Sequence, residues 1–290
     1  MKWIDYATPG SVQEAVALLA EHGDRARIMA GGTDVLVQLR AGRLGLDLLV
    51  DGKNIPELNE LSFDGQKGLT LGAAVPCYRI YGNADVKAHY GGIVDATSII
   101  GGVLIQGRAS VGGNLCNAAP SADSIPVLIA LGATCNIAGS GGTRQLPVEE
   151  FCTGPGTNAL RSGEMLVSVS VPAPAANSGA TYMRFIPRNE MDIAVAGAGV
   201  SVLLENGTFK SAKVALSAVA PTPLFVKEAG DALTGQPVNE ASIQKAAEIA
   251  RDAARPITDM RGTIEYRKHL CEVLTRRTLN IAVDRAKEAR

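Results

Sequence analysis

Behind the capping box Ser11-Val12-Gln13-Glu14, apolar residues Val12, Ala15, Val16, Leu18 and Leu19 recur on one helical face and predict a first helix. The pattern then shortens. Arg27-Ile28-Met29-Ala30 and Leu46 to Val50 are brief apolar runs that predict strands, the second closed by Asp51-Gly52. Thr33 stands where it can cap a helix through about Leu39. This strand–helix–strand order predicts a small α/β layer. Leu69 to Ala73 predicts another strand. Val86 to Ile100 reads as a helix despite Gly91 and Gly92, and Ser121 is placed to cap a helix that Gly132 stops after Leu131. Ala133 to Ile137 and Thr143 to Leu146 flank Gly139-Ser140-Gly141-Gly142, a hairpin signal with a loop longer than the commonest type.

Met165 to Val171 alternates and ends at Pro172. The segment from Pro172 to Gly179, rich in Pro, Ala and Ser, is the best linker in the chain. Beyond it, Thr181 to Phe185, Val195 to Leu204 and Lys210 to Ala220 predict strands, the last two joined through Glu205-Asn206-Gly207 as a hairpin. Three helical stretches follow, at about Leu224–Leu233, Glu240–Ala254 and Thr263–Ala289. The expected C-terminal unit is a three-stranded sheet covered by helices. A chain of 290 residues exceeds what one core usually holds, so two or three subdomains are expected.

A net charge of −1 gives no reason to expect nucleic acid or an anionic membrane as partner, and no apolar run reaches the length of a membrane span. The five cysteines, Cys77, Cys116, Cys135, Cys152 and Cys271, stand in no metal-ligand spacing. Their odd number, with no secretory leader recognised, makes reduced thiols and a cytoplasmic location the expectation. His22, His89 and His269 lie far apart, so neither a zinc site nor a catalytic triad is expected.

The chemistry is carried by two glycine pairs. One lies in Ala30-Gly31-Gly32-Thr33-Asp34, the other in Ala109-Ser110-Val111-Gly112-Gly113-Asn114. Glycine accepts positive φ and lets backbone approach a ligand, and free N–H groups at a helix start favour phosphate. One such turn is usually only a turn. Two converging loops would make a dinucleotide site, and a Cβ at Gly32 or Gly112 is expected to block it while leaving the apo fold largely intact. The Rossmann spacing and the P-loop are both absent. Asp34 and Asp123 can accept from ribose or ribityl hydroxyls or a flavin ring N–H, or can simply complement helix dipoles. Arg184, Arg188 and Asp192 cluster in sequence, and the simplest reading of them is a solvated strand edge carrying salt bridges.

These two loops resemble the FAD-diphosphate loops of the flavoprotein (medium) subunits of molybdenum hydroxylases, the family of xanthine dehydrogenase and aerobic carbon monoxide dehydrogenase. The resemblance extends through Gln106-Gly107-Arg108, Asn117-Ala118-Ala119-Pro120-Ser121-Ala122-Asp123, and Gly163-Glu164-Met165-Leu166 with Pro172. It continues through Arg188-Asn189-Glu190-Met191-Asp192-Ile193-Ala194 and Asp259-Met260-Arg261-Gly262-Thr263-Ile264-Glu265-Tyr266-Arg267, and so covers essentially the whole chain in order. The cysteine-rich insertion of the related 4-hydroxybenzoyl-CoA reductases is missing.

The resemblance implies an α+β fold. A two-lobed vanillyl-alcohol-oxidase-like (PCMH-type) FAD-binding domain would occupy residues 1–176, with lobes of about 1–57 and 58–176. A C-terminal domain of the CO dehydrogenase flavoprotein type, three strands and a helix bundle, would occupy 177–290. By matching position, Met29, Ala30, Gly31, Gly32, Thr33, Asp34 and Val35 would wrap the diphosphate and adjoining flavin. Ser110, Val111, Gly112, Gly113 and Asn114 would grip the other side. Asp123 would hydrogen-bond the cofactor, Ile100 and Leu166 would pack near its rings, and Arg184 would stand where the xanthine enzymes carry a cofactor-contacting lysine. The implied function is that of a FAD subunit passing electrons from two 2Fe–2S clusters to an external acceptor. FAD would be bound non-covalently. The molybdopterin would lie in a large partner subunit and the clusters in a small one, assembled as a dimer of heterotrimers. No residue of this chain would be a catalytic acid or base, and none would bind metal. A self-sufficient flavin oxidase of the same fold and a FAD-free assembly subunit are the alternatives.

Overall fold

The computed structural model describes residues 3–289, and its first layer is the small α/β unit that the N-terminal pattern predicts. Strand β1 (Asp5–Ala7), helix α1 (Val12–His22), strand β2 (Ala26–Met29), helix α2 (Val35–Arg40) and strand β3 (Leu48–Asp51) follow in order. The strands form a parallel sheet in the order β1-β3-β2. Ser11 caps α1 by accepting from the Glu14 N–H, and Ala15, Val16 and Leu19 are its buried face. Thr33 does not cap α2. The N-cap position falls on Asp34, in a helical conformation and with no side-chain cap bond.

The second lobe begins with β4 (Leu61–Asp64) and β5 (Gly68–Gly72). Helices α3 (Cys77–Gly82), α4 (Ala84–His89), α5 (Gly91–Thr97), α6 (Val103–Gln106), α7 (Val111–Asn117) and α8 (Ser124–Leu131) follow. Next come β6 (Thr134–Gly139), β7 (Gly142–Pro147), β8 (Cys152–Gly154), β9 (Thr157–Asn158) and β10 (Met165–Val171). Five of these strands build an antiparallel sheet in the order β4-β5-β10-β6-β7. Helix 86–100 is two helices, because Tyr90 leaves the helical region at φ −133°, ψ 50°. The hairpin turn is Ser140-Gly141 alone, shorter than expected, since Gly139 and Gly142 still pair. Helix α8 starts at Ser124, not after Ser121, and ends as expected at left-handed Gly132.

The C-terminal unit contains β11 (Ser178–Phe185), β12 (Ala196–Glu205), β13 (Thr208–Ser217) and β14 (Leu224–Phe225), then α9 (Lys227–Leu233), α10 (Glu240–Ala253) and α11 (Ile264–Glu288). Its antiparallel sheet has four strands, the fourth being the two residues at the start of the stretch read as helical. Two cores result. One is gathered mainly from α1 to β10, the other from Val195 to Ala286.

The period-two alternation of β11 and β12 joins these cores. Met183 and Phe185 pack into the second core, so Tyr182 and Arg184 face the other way, toward α8. On the same face of β12, Gly199 lets α8 press directly onto the sheet, since a Cβ there would stand 2.6 Å from the Pro126 and Val127 backbone. Asp95 on α5 closes the junction. It accepts from both terminal guanidinium nitrogens of Arg285 on α11 (2.6 and 2.9 Å), from the Thr181 hydroxyl (2.6 Å) and from the Tyr182 N–H.

Candidate functional site

Between the two lobes and the C-terminal sheet lies a cleft of about 950 Å³. Its floor is made by the two glycine loops. The first leaves the end of β2 and turns through Gly32, whose φ of +79° is the left-handed conformation that favours glycine. A Cβ on Gly31 would lie 1.8 Å from the carbonyl oxygen of Arg108, so the two loops meet backbone to backbone. Among the described residues, the N–H groups of Gly31, Gly32, Thr33 and Asp34 donate to no protein acceptor. Ser110 caps α7 by accepting from Gly113 N–H at 3.0 Å, and its bridge to Pro76 directs the Val111 N–H toward the chain beside β5, which leaves the Gly112 N–H open at that helix start.

Of the residues expected at the site, Ala30, Gly31, Gly32, Thr33, Asp34, Val35, Ile100, Ser110, Gly112, Gly113, Asn114, Asp123, Leu166 and Arg184 all line this cleft. Met29 and Val111 are buried in the cores, off its wall. The expectation for Gly112 needs correction. Its φ is not positive, and a Cβ there would fall 2.4 Å from the Ala73 carbonyl oxygen. Gly112 therefore seats α7 against the residue that follows β5, and a side chain there would disturb the apo fold as well as the cleft.

Beside the second loop the lining is polar and braced from behind. Asp123, itself buried, accepts from Arg184 Nη1 at 2.5 Å and from the Tyr182 hydroxyl at 2.8 Å. Arg184 Nη2 donates to the Ile99 carbonyl at 2.7 Å. Burial pushes the Asp123 carboxyl up to about 6, against the opposing pull of Arg184 and the Tyr182 hydrogen bond. Burial also raises Asp34. Arg184 is thus no solvated strand-edge residue. Arg188, by contrast, is exposed, and its Nε stands 3.6 Å from Asp192, with Arg261 Nε 3.7 Å from the same carboxylate.

Sequence reasoning missed three contributors. Gln38 on α2 donates to Asn117 on α7 at 2.9 Å and ties together the helices behind the two loops. Ser124 on α8 donates its hydroxyl to Asn114 Oδ1 at 2.7 Å, which fixes α7 to α8. Tyr182 stands behind Asp123, and its position two residues before Arg184 on a strand was the available signal. Cys116 lines the cleft, but burial pushes its thiol up to about 12, so it stays protonated at neutral pH. Among the described residues no group of three His, Cys, Asp or Glu is placed to hold a metal, and no helix is long and apolar enough to cross a membrane.

Open N–H groups on two touching loops and a buried, braced carboxylate line one cleft, a combination suited to an anionic dinucleotide. The chain belongs to the FAD-binding subunit family of the molybdopterin dehydrogenases. Residues 2–174 match the FAD binding domain in molybdopterin dehydrogenase, and residues 181–282 match the CO dehydrogenase flavoprotein C-terminal domain. The chain is 30% identical to the xanthine dehydrogenase FAD-binding subunit of Escherichia coli, over 96% of this chain and 95% of that one. It is also 30% identical to the carbon monoxide dehydrogenase medium chain of Afipia carboxidovorans, over 98% of each. Among solved structures it superimposes on carbon monoxide dehydrogenase from Hydrogenophaga pseudoflava with a TM-score of 0.93, at 30% identity and 98% coverage of both chains. Quinoline 2-oxidoreductase from Pseudomonas putida matches with a TM-score of 0.91 at 30% identity, covering 99% of each chain. The α+β fold expected from the resemblance is the fold observed, and the protein is an oxidoreductase subunit with a FAD-binding domain.

Proposed function

We propose that this chain holds FAD non-covalently in the cleft and relays electrons through it. They arrive from two 2Fe–2S clusters in a small iron–sulfur partner, which a large molybdopterin subunit reduces, and they leave to an external acceptor. The observation that carries this reading is the row of open N–H groups on two loops that meet at the cleft floor. Gly31 to Asp34 and the start of α7 offer donors to a diphosphate, as helix and loop N–H groups do for anions generally. Ile100 and Leu166 offer apolar wall to an isoalloxazine ring, and Asp123 offers an acceptor. FAD, when bound, takes electrons singly and releases them singly or in pairs. The protein's part is binding, orientation and exclusion of water. Burial that pushes the Cys116 thiol up to about 12, and a lining without histidine, support a non-covalent flavin.

The assembly we propose is a dimer of heterotrimers in the cytoplasm. Within this chain we propose a boundary at 176/177 between FAD-binding and C-terminal domains, and one near 57/58 between the two lobes. The relatives named for dehydrogenase subunits and medium chains support the heteromeric reading. Purification with native partners tests it. Iron and molybdenum should accompany this chain, and acid precipitation should release all flavin into the supernatant. The FAD-loaded chain alone should leave N-heterocycles, aldehydes and carbon monoxide untouched while dithionite bleaches its flavin. Turnover of any of these by the metal-free chain would establish a self-sufficient oxidase instead.

A further inference from the structure

The Asp123 carboxylate reaches the cleft with both oxygens already engaged, and one of its two donors does not itself line the cleft. Tyr182, buried on β11, donates to Oδ1 at 2.8 Å. Behind it, on β13, the fully buried Ser217 places its hydroxyl 3.1 Å from the Tyr182 oxygen. Gly197 on β12 keeps room for this pair, since a Cβ there would lie 2.5 Å from the Tyr182 hydroxyl and 2.4 Å from that of Ser217. The chain Ser217–Tyr182–Asp123 therefore runs from the C-terminal sheet, under a glycine, to the N-cap of α8 and the cleft wall.

Each carboxylate oxygen has two lone-pair directions, so one on each remains after Tyr182 and Arg184 have donated. Burial, reinforced by the adjacent Asp123 charge, pushes the Tyr182 phenol far up, so it is a donor at every working pH. A donor to a carboxylate favours its ionised form. The charged and titratable groups facing Asp123 are Arg184 and Tyr182, both on β11. Strand β13 adds the neutral Ser217, and α7 adds the neutral Asn114, whose carbonyl oxygen is held by Ser124.

We propose that Tyr182 and Ser217 are positioning residues for the flavin, holding Asp123 ionised and aimed as an acceptor for an N–H or hydroxyl of FAD. The proposal rests on the reading of this cleft as the FAD site. It assigns to the C-terminal sheet a share in cofactor affinity through a residue that touches no cofactor.

The test measures FAD dissociation constants for the full-length chain from pH 5 to 9, by quenching of flavin fluorescence. Wild type, Tyr182→Phe, Ser217→Ala and Asp123→Asn are compared, with apo melting temperatures alongside. Wild-type affinity should fall as pH drops below the Asp123 titration. Tyr182→Phe should bind FAD about tenfold more weakly at neutral pH, and its fall should begin at a higher pH, because the carboxylate has lost a donor. Ser217→Ala should move the profile in the same direction by less, and Asp123→Asn should flatten it. A merely structural role would lower the apo melting temperature and leave the profile where it was. Superimposable profiles for wild type and Tyr182→Phe, or a flat wild-type profile, would overturn the proposal. Absence of any FAD binding by wild type would instead overturn the cofactor reading beneath it.

Discussion

The two residues that look most alike in the sequence, Gly32 and Gly112, do different work. Gly32 needs its left-handed φ of +79°. Replacing it by Ala should cost about 1–2 kcal/mol, the usual penalty for an L-residue in that region. The apo chain should fold and melt a few degrees lower, with much weaker FAD binding by titration. Gly112 is a packing glycine beneath Ala73. Gly112→Ala should cost about 1–3 kcal/mol by overpacking and should lower the apo melting temperature on that account. Retention of wild-type apo stability in Gly112→Ala would refute that reading. The Arg184–Asp123 pair gives a second prediction. Both side chains are buried, at 7% and 8% exposure, so removing one partner strands the other's charge. Arg184→Met should lose about 3–5 kcal/mol in urea unfolding, and adding Asp123→Asn should restore part of that loss.

Elements show where the sequence is legible and where it is not. Strands β2, β3, β5, β10, β12 and β13 and helices α1, α10 and α11 were readable because their own residues carry the period and the caps. Thr263 capping α11 through the Tyr266 N–H is one such case. Thr33 and Ser121 failed as caps because the chain around them is committed to the cleft, and the N-cap positions fall later, on Asp34 and Asp123. Strand β14 was invisible, as two residues carry no period and β13 alone recruits them. Most of the cleft lining was legible through the glycine pairs and the motifs after them. Tyr182 and Gln38 were not, since each acts through a partner far away in the sequence. One element also titrates. The Glu164 carboxylate is held low chiefly by its hydrogen bonds from Arg144, at 2.7 and 2.8 Å, which pin the turn before β10 to β7. Its folded pKa lies below its unfolded one, so the added stability is present above the unfolded pKa and disappears as pH falls through the folded value. The partly exposed pair should contribute about 1 kcal/mol at neutral pH. Melting curves of wild type and Glu164→Gln should therefore differ at pH 7 and converge toward pH 3.

At the scale of the whole molecule, one carboxylate couples the two cores. Asp95 gathers Arg285 of α11 and two donors of β11 onto α5. Arg285→Ala removes the charged partner and should cost about 1.5–3 kcal/mol, the range for hydrogen bonds to charged groups. Calorimetry is the informative measurement. The wild-type chain should melt in one transition and the variant in two, the cores then unfolding separately. A single, simply lowered transition would show that packing of α8 on β12 is coupling enough.

The glycine-floored contact between α8 and the C-terminal sheet also has a consequence in time. A ribosome makes Gly31, Gly113 and Asp123 well before Arg184, Tyr182 and Ser217, at about 5–20 residues per second. Until β11 and β13 emerge, the cleft has its glycine loops but lacks Arg184, and Asp123 faces water with neither donor. Flavin capture should then be a late event, following translation of the sheet. Nascent chains stalled near residue 176 should fail to retain FAD through a wash, and chains stalled after α11 has left the exit tunnel should keep it. Cells short of FAD should then accumulate finished, colourless chains ready to be loaded, with no arrest of their synthesis.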